Sequence, residues 1–162
     1  MQKKNRVYVF IIICLTIVLI IGMKFAFEYG KNQANQKTLV VSNNTVDWDK
    51  QLDNKSQNTE GIKVPGYKEI TVKNSSESWL ITLPNPKENN CYFKYTITID
   101  NSNEIVYESD LIEPGKAITS FKPEIKLKQG DYDLYLNINA YSLNQNLDEL
   151  NGAKIKTTLH VI

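Results

Sequence analysis

Few residues in this chain have side chains suited to covalent chemistry. The 162 residues include two cysteines, Cys14 and Cys91, and one histidine, His160. A serine or cysteine nucleophile needs a base close by, and strand alternation predicts that Cys91 points inward while His160 points outward. We therefore expect Cys91 to be a buried, inert thiol, with a reactive thiol as the alternative, and we expect no Cys–His pair and no enzymatic activity.

Acidic residues cluster in two places where a cation could bind. One group is Asp47, Asp49 and Asp53, and the other is Glu108, Asp110 and Glu113. The first lacks the glycine and the final glutamate of a calcium-binding loop, so solvated charges are the favoured interpretation. The second is either a weak calcium site or a set of ordinary loop charges. With no second histidine and no phosphate-binding glycine loop, the sequence predicts neither a metal nor a cofactor.

Three tyrosines form the strongest candidate binding site. In segments 91–100 and 131–142, alternation places Tyr92, Tyr135 and Tyr141 on the side facing away from the core. An exposed tyrosine offers a large contact area together with a hydroxyl group, which suits a recognition surface. We expect this face to bind a protein or glycan partner, and ordinary cross-strand pairing is the alternative.

These tyrosines require strands to position them. From Gly61 onward, short segments of alternating apolar and polar residues are separated by turn residues, which predicts an all-β domain. The two longest strands are expected at 91–100 and 131–142. Shorter strands are expected at 67–73, 77–83 (ending before Pro84), 104–109, 117–121, 123–127 and 153–162.

Seven or eight strands in roughly 100 residues predict an immunoglobulin-like or fibronectin-III-like β-sandwich. Its core should be centred on Trp79, Phe93, Tyr95 and Leu136. The glycine turn before Tyr132 resembles the tyrosine corner of such domains. That resemblance implies that the Tyr132 hydroxyl bonds back to the preceding connection.

The N-terminal region has a different composition. Residues 7–23 carry no charge, and with Lys24 able to reach the headgroups the segment 7–27 is long enough to span a bilayer. A basic tip precedes it, but no small-residue cleavage site follows, so an uncleaved signal anchor is favoured over a cleaved signal peptide. The basic tip predicts a cytoplasmic N-terminus and an extracellular remainder.

Three regions follow from this pattern: 1–27 as cytoplasmic tip and anchor, 28–60 as a polar stalk, and 61–162 as the β domain. Trp48 in the stalk is expected to dock back on the domain.

The extracellular part carries 15 basic and 18 acidic residues, a net charge of −3. That charge argues against nucleic acid as a partner. The two cysteines cannot pair across the membrane, and one arginine against 18 lysines suggests a Gram-positive source.

Several strings, taken in order, resemble a family of small signal-anchored surface proteins of Firmicutes with an immunoglobulin-like ectodomain. They include Trp48-Asp49, the segment 61–67, Asn90-Cys91-Tyr92-Phe93, the segment 111–115, Gly130-Asp131-Tyr132 and the segment 151–161. The resemblance implies proteins encoded near adhesin or mobile-element genes, and it supplies no catalytic residues. Some such proteins are labelled tRNA methyltransferase, but this sequence has no glycine loop for a methyl donor.

The expected function is therefore a non-catalytic binding or accessory module, anchored in the membrane through residues 7–27 and displayed in a Gram-positive cell envelope. Its expected partner is a surface protein or a cell-wall polymer. The alternative is a structural scaffold or spacer in an adhesin-associated or mobile-element-associated envelope complex.

Overall fold

The computed structural model describes residues 22–24, 39–50, 61–100 and 104–162. The chain divides into two compact units, Met1–Thr38 and Leu39–Ile162. In the first unit only residues 22–24 are described, and they are helical. No helix within the described residues is long and apolar enough to cross a bilayer. The rest of the anchor predicted at 7–27 lies outside the described residues.

The second unit is built from β-strands, as the alternation predicted. The strands are β1 (Val46–Asp47), β2 (Ile70–Val72), β3 (Leu83–Asn85), β4 (Cys91–Ile99), β5 (Ile105–Glu108), β6 (Lys116–Ile118), β7 (Gly130–Ser142) and β8 (Glu149–Val161). They form a five-stranded sheet in the order β2-β8-β7-β4-β5 and a three-stranded sheet in the order β1-β6-β3. The prediction of an all-β domain is confirmed.

One hydrophobic core draws side chains from both sheets. The residues predicted at its centre, Trp79, Phe93, Tyr95 and Leu136, all lie in it and are at most 4% exposed. Every inward position predicted for β4 is buried, because alternate residues of a strand share one face. Tyr132 donates a hydrogen bond from its hydroxyl to the carbonyl of Lys128 at 3.0 Å, as expected.

Two strand predictions were wrong. The segment 77–83 was expected to be a strand that ends at Pro84, but only Leu83 of that segment lies in a strand, and β3 continues through Pro84, which is in register with Ala117. Proline is tolerated there because β3 lies at the edge of its sheet. No strand forms at 123–127. Ile125 and Leu127 pack against the core from an irregular segment instead.

A polar link joins the two sheets. The Asn85 side chain is fully buried, and its Nδ2 donates to the carbonyls of Cys91 and Ile112 at 2.8 and 2.9 Å. Its Oδ1 accepts a hydrogen bond from Asn89 Nδ2 at 3.0 Å. Asn85 lies on β3 and Cys91 on β4, so one satisfied amide holds the two sheets together.

The segment 39–50, assigned by composition to the polar stalk, belongs to the compact unit Leu39–Ile162. Within it, β1 pairs antiparallel with β6. Trp48 is half-buried, and its backbone N–H donates to the carbonyl of Gly115 at 2.8 Å. The expectation that Trp48 docks on the domain is confirmed. The remaining stalk residues, 28–38 and 51–60, lie outside the described residues.

Candidate partner-binding face

The outward face of the five-stranded sheet brings two of the three predicted tyrosines together. Tyr92 on β4 and Tyr141 on β7 lie directly opposite each other in the register of the antiparallel pair. Both side chains are partly exposed. Residues opposite one another have Cβ atoms about 5 Å apart, so the two tyrosines share one patch of the outward face.

Tyr135 does not belong to that patch. It is in register with Thr98, six residues along β7 from Tyr141, and it is only 8% exposed. Lys154 Nζ lies 4.4 Å from the centre of its ring, and Lys156 Nζ lies 5.8 Å from it. The expectation that Tyr135 is exposed was wrong, because lysine side chains from β8 cover an outward ring.

Charged and amide groups border the tyrosine pair. Lys94 lies next to Tyr92 on the outward side of β4 and forms an ion pair with Glu108 of β5. Asn139 donates from Nδ2 to Glu149 Oε1 at 3.0 Å, beside Tyr141. Since these groups are already held by one another, the face is ordered before any partner arrives, which lowers the entropic cost of binding.

The Tyr141 phenol stays protonated at neutral pH. Its partial burial raises its pKa, and the nearby carboxylates of Glu149 and Glu108 raise it further. A neutral phenol can both donate and accept a hydrogen bond. The patch can therefore recognise a hydroxyl, an amide or a carbonyl group.

Sequence reasoning identified the outward residues of β4 and β7 but missed Glu108 and Glu149. Both belong to neighbouring strands, and which of their residues meet Lys94 and Asn139 depends on strand register. Alternation fixes the face of a residue within its own strand and leaves the pairing between strands open.

Cys91 and His160 are far apart. Cys91 is in register with Ser142 and His160 with Asp131, at opposite ends of β7. Cys91 is 3% exposed, and burial raises the pKa of its thiol. Cys91 therefore points inward as expected, and the strand register separates it from His160.

His160, on β8, instead contacts β7 and the residue that precedes β2 at the surface. Its Nδ1 lies 2.7 Å from Asp131 Oδ1, and its Nε2 lies 3.4 Å from Glu69 Oε2. The hydrogen bond with Asp131 raises the pKa of the imidazole most, and the contact with Glu69 adds to that effect. The arrangement favours the imidazolium ion, which bridges two carboxylates.

Two of the acidic residues considered for a cation site form ion pairs with lysines. Asp47 pairs with Lys116 at 2.6 Å, and Glu108 pairs with Lys94. Asp53 lies outside the described residues. Among the described residues, no three His, Cys, Asp or Glu side chains come together in a way that could hold a metal ion.

A cavity of about 470 Å³ lies at one end of the domain, where no sequence pattern indicated one. The turn at residues 74–77 and the irregular segment 122–127 form its walls, with the buried Trp79 behind them. The lysines on its rim, Lys122 and Lys126, are exposed. The cavity is assembled from residues distant in sequence, so no local pattern could reveal it.

Comparison of the chain with protein-family models, with curated proteins and with solved structures found no match. The case for a function therefore depends on the geometry of the chain itself.

Proposed function

We propose that the unit Leu39–Ile162 is an immunoglobulin-like β-sandwich. The strand orders β2-β8-β7-β4-β5 and β1-β6-β3, with a parallel β2–β8 pair, support this proposal. The hydrogen bond from the Tyr132 hydroxyl to the carbonyl four residues upstream supports it too, since such a tyrosine opens a long strand in these domains.

The sandwich serves as a non-catalytic binding module held at the outer side of a Gram-positive membrane by residues 7–27. Its partner is a surface protein or a cell-wall polymer. The uncharged run at 7–23 and the basic tip before it support the anchor and its orientation. The outward face of the five-stranded sheet supports the binding role.

The observation that carries this proposal is the pair Tyr92 and Tyr141. Two partly exposed tyrosines lie opposite each other on one sheet face, bordered by the Lys94–Glu108 ion pair and the Asn139–Glu149 hydrogen bond. Aromatic contact area ringed by polar groups is the composition of binding hot spots.

The proposal is tested with the double variant Tyr92→Ser/Tyr141→Ser. Intact cells producing the full-length chain are cross-linked, and captured neighbours are identified by mass spectrometry. The matched control is Leu80→Ser/Ile162→Ser, which removes two exposed apolar side chains (86% and 57% exposed) away from the tyrosine pair.

We expect the native chain and the control to capture the same dominant neighbour, and the tyrosine variant to lose it. Equal capture by all three chains contradicts the proposed face. Replacing residues 7–27 with an unrelated anchor separates the alternative role: capture that depends on the native anchor favours an envelope scaffold.

A further inference from the structure

The segment 39–48, here called the strap, docks on the domain mainly through its main chain. Leu111 N donates to Val40 O, Ser42 N donates to Leu111 O, and Trp48 N donates to Gly115 O, each at 2.8 Å. Val46 and Asp47 add the short β1–β6 ladder. The strap thus docks at two places: Val41 forms a parallel bridge with Leu111, and β1 is the edge strand beside β6 in the three-stranded sheet.

Leu39 and Trp48 at the two ends of the strap are half-buried, but its three valines add little burial to this docking. Val40, Val41 and Val46 remain 53%, 40% and 49% exposed. The Asp47 side chain, which pairs with Lys116, is 90% exposed. Main-chain hydrogen bonds exchange with water at a small net gain, and an exposed ion pair contributes little. The strap is therefore held weakly compared with the buried strands.

The edge of β6 offers one charge match to an incoming strand. Lys116 and Asp47 are in register, and their ion pair at 2.6 Å fixes which residue of an incoming strand lies opposite Lys116. The hydrogen bond and charge of Asp47 raise the pKa of Lys116. An extended segment with a carboxylate opposite Lys116 therefore matches this edge, and the chain's own strap is such a segment.

The connection between the strap and the domain permits exchange. Trp48 and Gly61 are separated by 13 positions in the sequence, and a chain of that length spans at most about 45 Å. A strap released from its own domain can therefore reach the β6 edge of a neighbour. Every hydrogen bond and the ion pair would be re-formed there, so exchange sacrifices no contact.

We propose that β6 binds the strap of a second copy of this chain, giving a dimer with reciprocally exchanged straps. The same contacts hold the strap within one chain and between chains. The ratio of exchanged dimer to monomer therefore depends on the local concentration of the protein. This inference does not depend on the tyrosine face, because the strap and Tyr92 belong to different sheets.

A charge exchange between two full-length chains tests the proposal. One chain carries Asp47→Lys and the other Lys116→Glu, each with its own affinity tag. Within either variant chain alone, residues 47 and 116 carry charges of the same sign, which repel each other. In a mixed dimer with exchanged straps, the introduced lysine of the first chain faces the introduced glutamate of the second. The native Asp47 of the second chain then faces the native Lys116 of the first, so both contacts are matched.

We expect the mixture to yield several-fold more doubly tagged dimer than mixtures of native chains with two tags. A mixture of Asp47→Lys with Leu80→Glu, a charge placed at an 86% exposed position outside the strap, should show no such gain. Equal yields in the charge-matched and control mixtures would overturn the proposal.

A disulfide provides the second readout. Opposed residues of an antiparallel pair have Cα atoms about 5 Å apart, within the range that a disulfide can bridge. Chains carrying Asp47→Cys and Lys116→Cys, both with Cys14→Ser, are mixed and oxidised; the native Cys91 is buried. We expect a mixed disulfide-linked dimer.

The double variant Asp47→Cys/Lys116→Cys serves as the internal control, because its cysteines meet within one chain. If that chain forms its internal disulfide while the mixed single variants form no more linked dimer than the Cys14→Ser parent, strap exchange is refuted.

Discussion

The buried amide of Asn85 should contribute more to stability than any exposed polar side chain of this domain. Replacing Asn85 with alanine removes this donor from the Cys91 carbonyl and the acceptor from one N–H of Asn89, while the Ile112 carbonyl keeps the backbone N–H of Phe93 at 3.1 Å. Because Asn85 is 0% exposed, water cannot replace the lost amide without rearrangement. The damage would fall at the point where the two sheets meet.

The magnitude follows from the number of orphaned groups. A buried polar group that loses its partner costs about 1 to 3 kcal/mol. The Cys91 carbonyl and one N–H of Asn89 lose this partner, which predicts a loss of roughly 2 to 6 kcal/mol in the free energy of unfolding for Asn85→Ala. That is a large part of the about 5 to 15 kcal/mol typical of a folded domain.

The assay is urea unfolding of the unit Leu39–Ile162, followed by tryptophan fluorescence, since Trp79 lies in the core. The matched control is Asn139→Ala, which removes one exposed hydrogen bond to Glu149. We expect the control to cost under about 1 kcal/mol. An Asn85→Ala variant no less stable than the control would refute the assigned role of the amide.

Three further predictions concern other parts of the fold. Tyr95→Phe removes the hydroxyl that donates to the Pro84 carbonyl at 2.6 Å in the core, so urea unfolding should show a loss of about 1 to 3 kcal/mol, whereas Tyr92→Phe on the outward face should show almost none. Gly152→Ala would place a Cβ 2.1 Å from the Ile138 carbonyl oxygen, opposite the irregular register of β7 and β8. The melting temperature should therefore fall by several degrees or more, while alanine at the uncrowded Gly66 should leave it nearly unchanged. Because the pKa of His160 is raised in the folded state, its stabilising contribution should be full below the unfolded value of about 6.5 and should disappear as the pH rises through the higher folded value. The difference in unfolding free energy between the native chain and His160→Gln should accordingly be larger at about pH 5.5 than at about pH 9, and a difference independent of pH would contradict this.

Strand alternation correctly predicted the features that depend on a single segment of the chain. It indicated the buried positions of β4, the inward direction of Cys91 and the outward direction of Tyr92 and Tyr141, because side-chain direction along a strand repeats every two residues. The Tyr132 bond was predictable as well, since that contact spans only four residues.

What depends on contacts between distant segments could not be predicted in this way. Tyr135 is covered by lysines that the register of β8 brings over it. The strap joins β6 across a gap of 69 positions, as the Asp47–Lys116 pair shows. A polar composition is typical of a stalk, but main-chain pairing at a sheet edge also requires few apolar side chains.

The central claim is that the face around Tyr92 and Tyr141 binds a partner in the cell envelope. The most direct measurement is the cross-linking of intact cells producing full-length chain, with the native sequence compared against Tyr92→Ser/Tyr141→Ser at equal surface amounts. We expect one dominant neighbour for the native chain and its loss from the variant. The same neighbour captured in equal yield by both chains would contradict it.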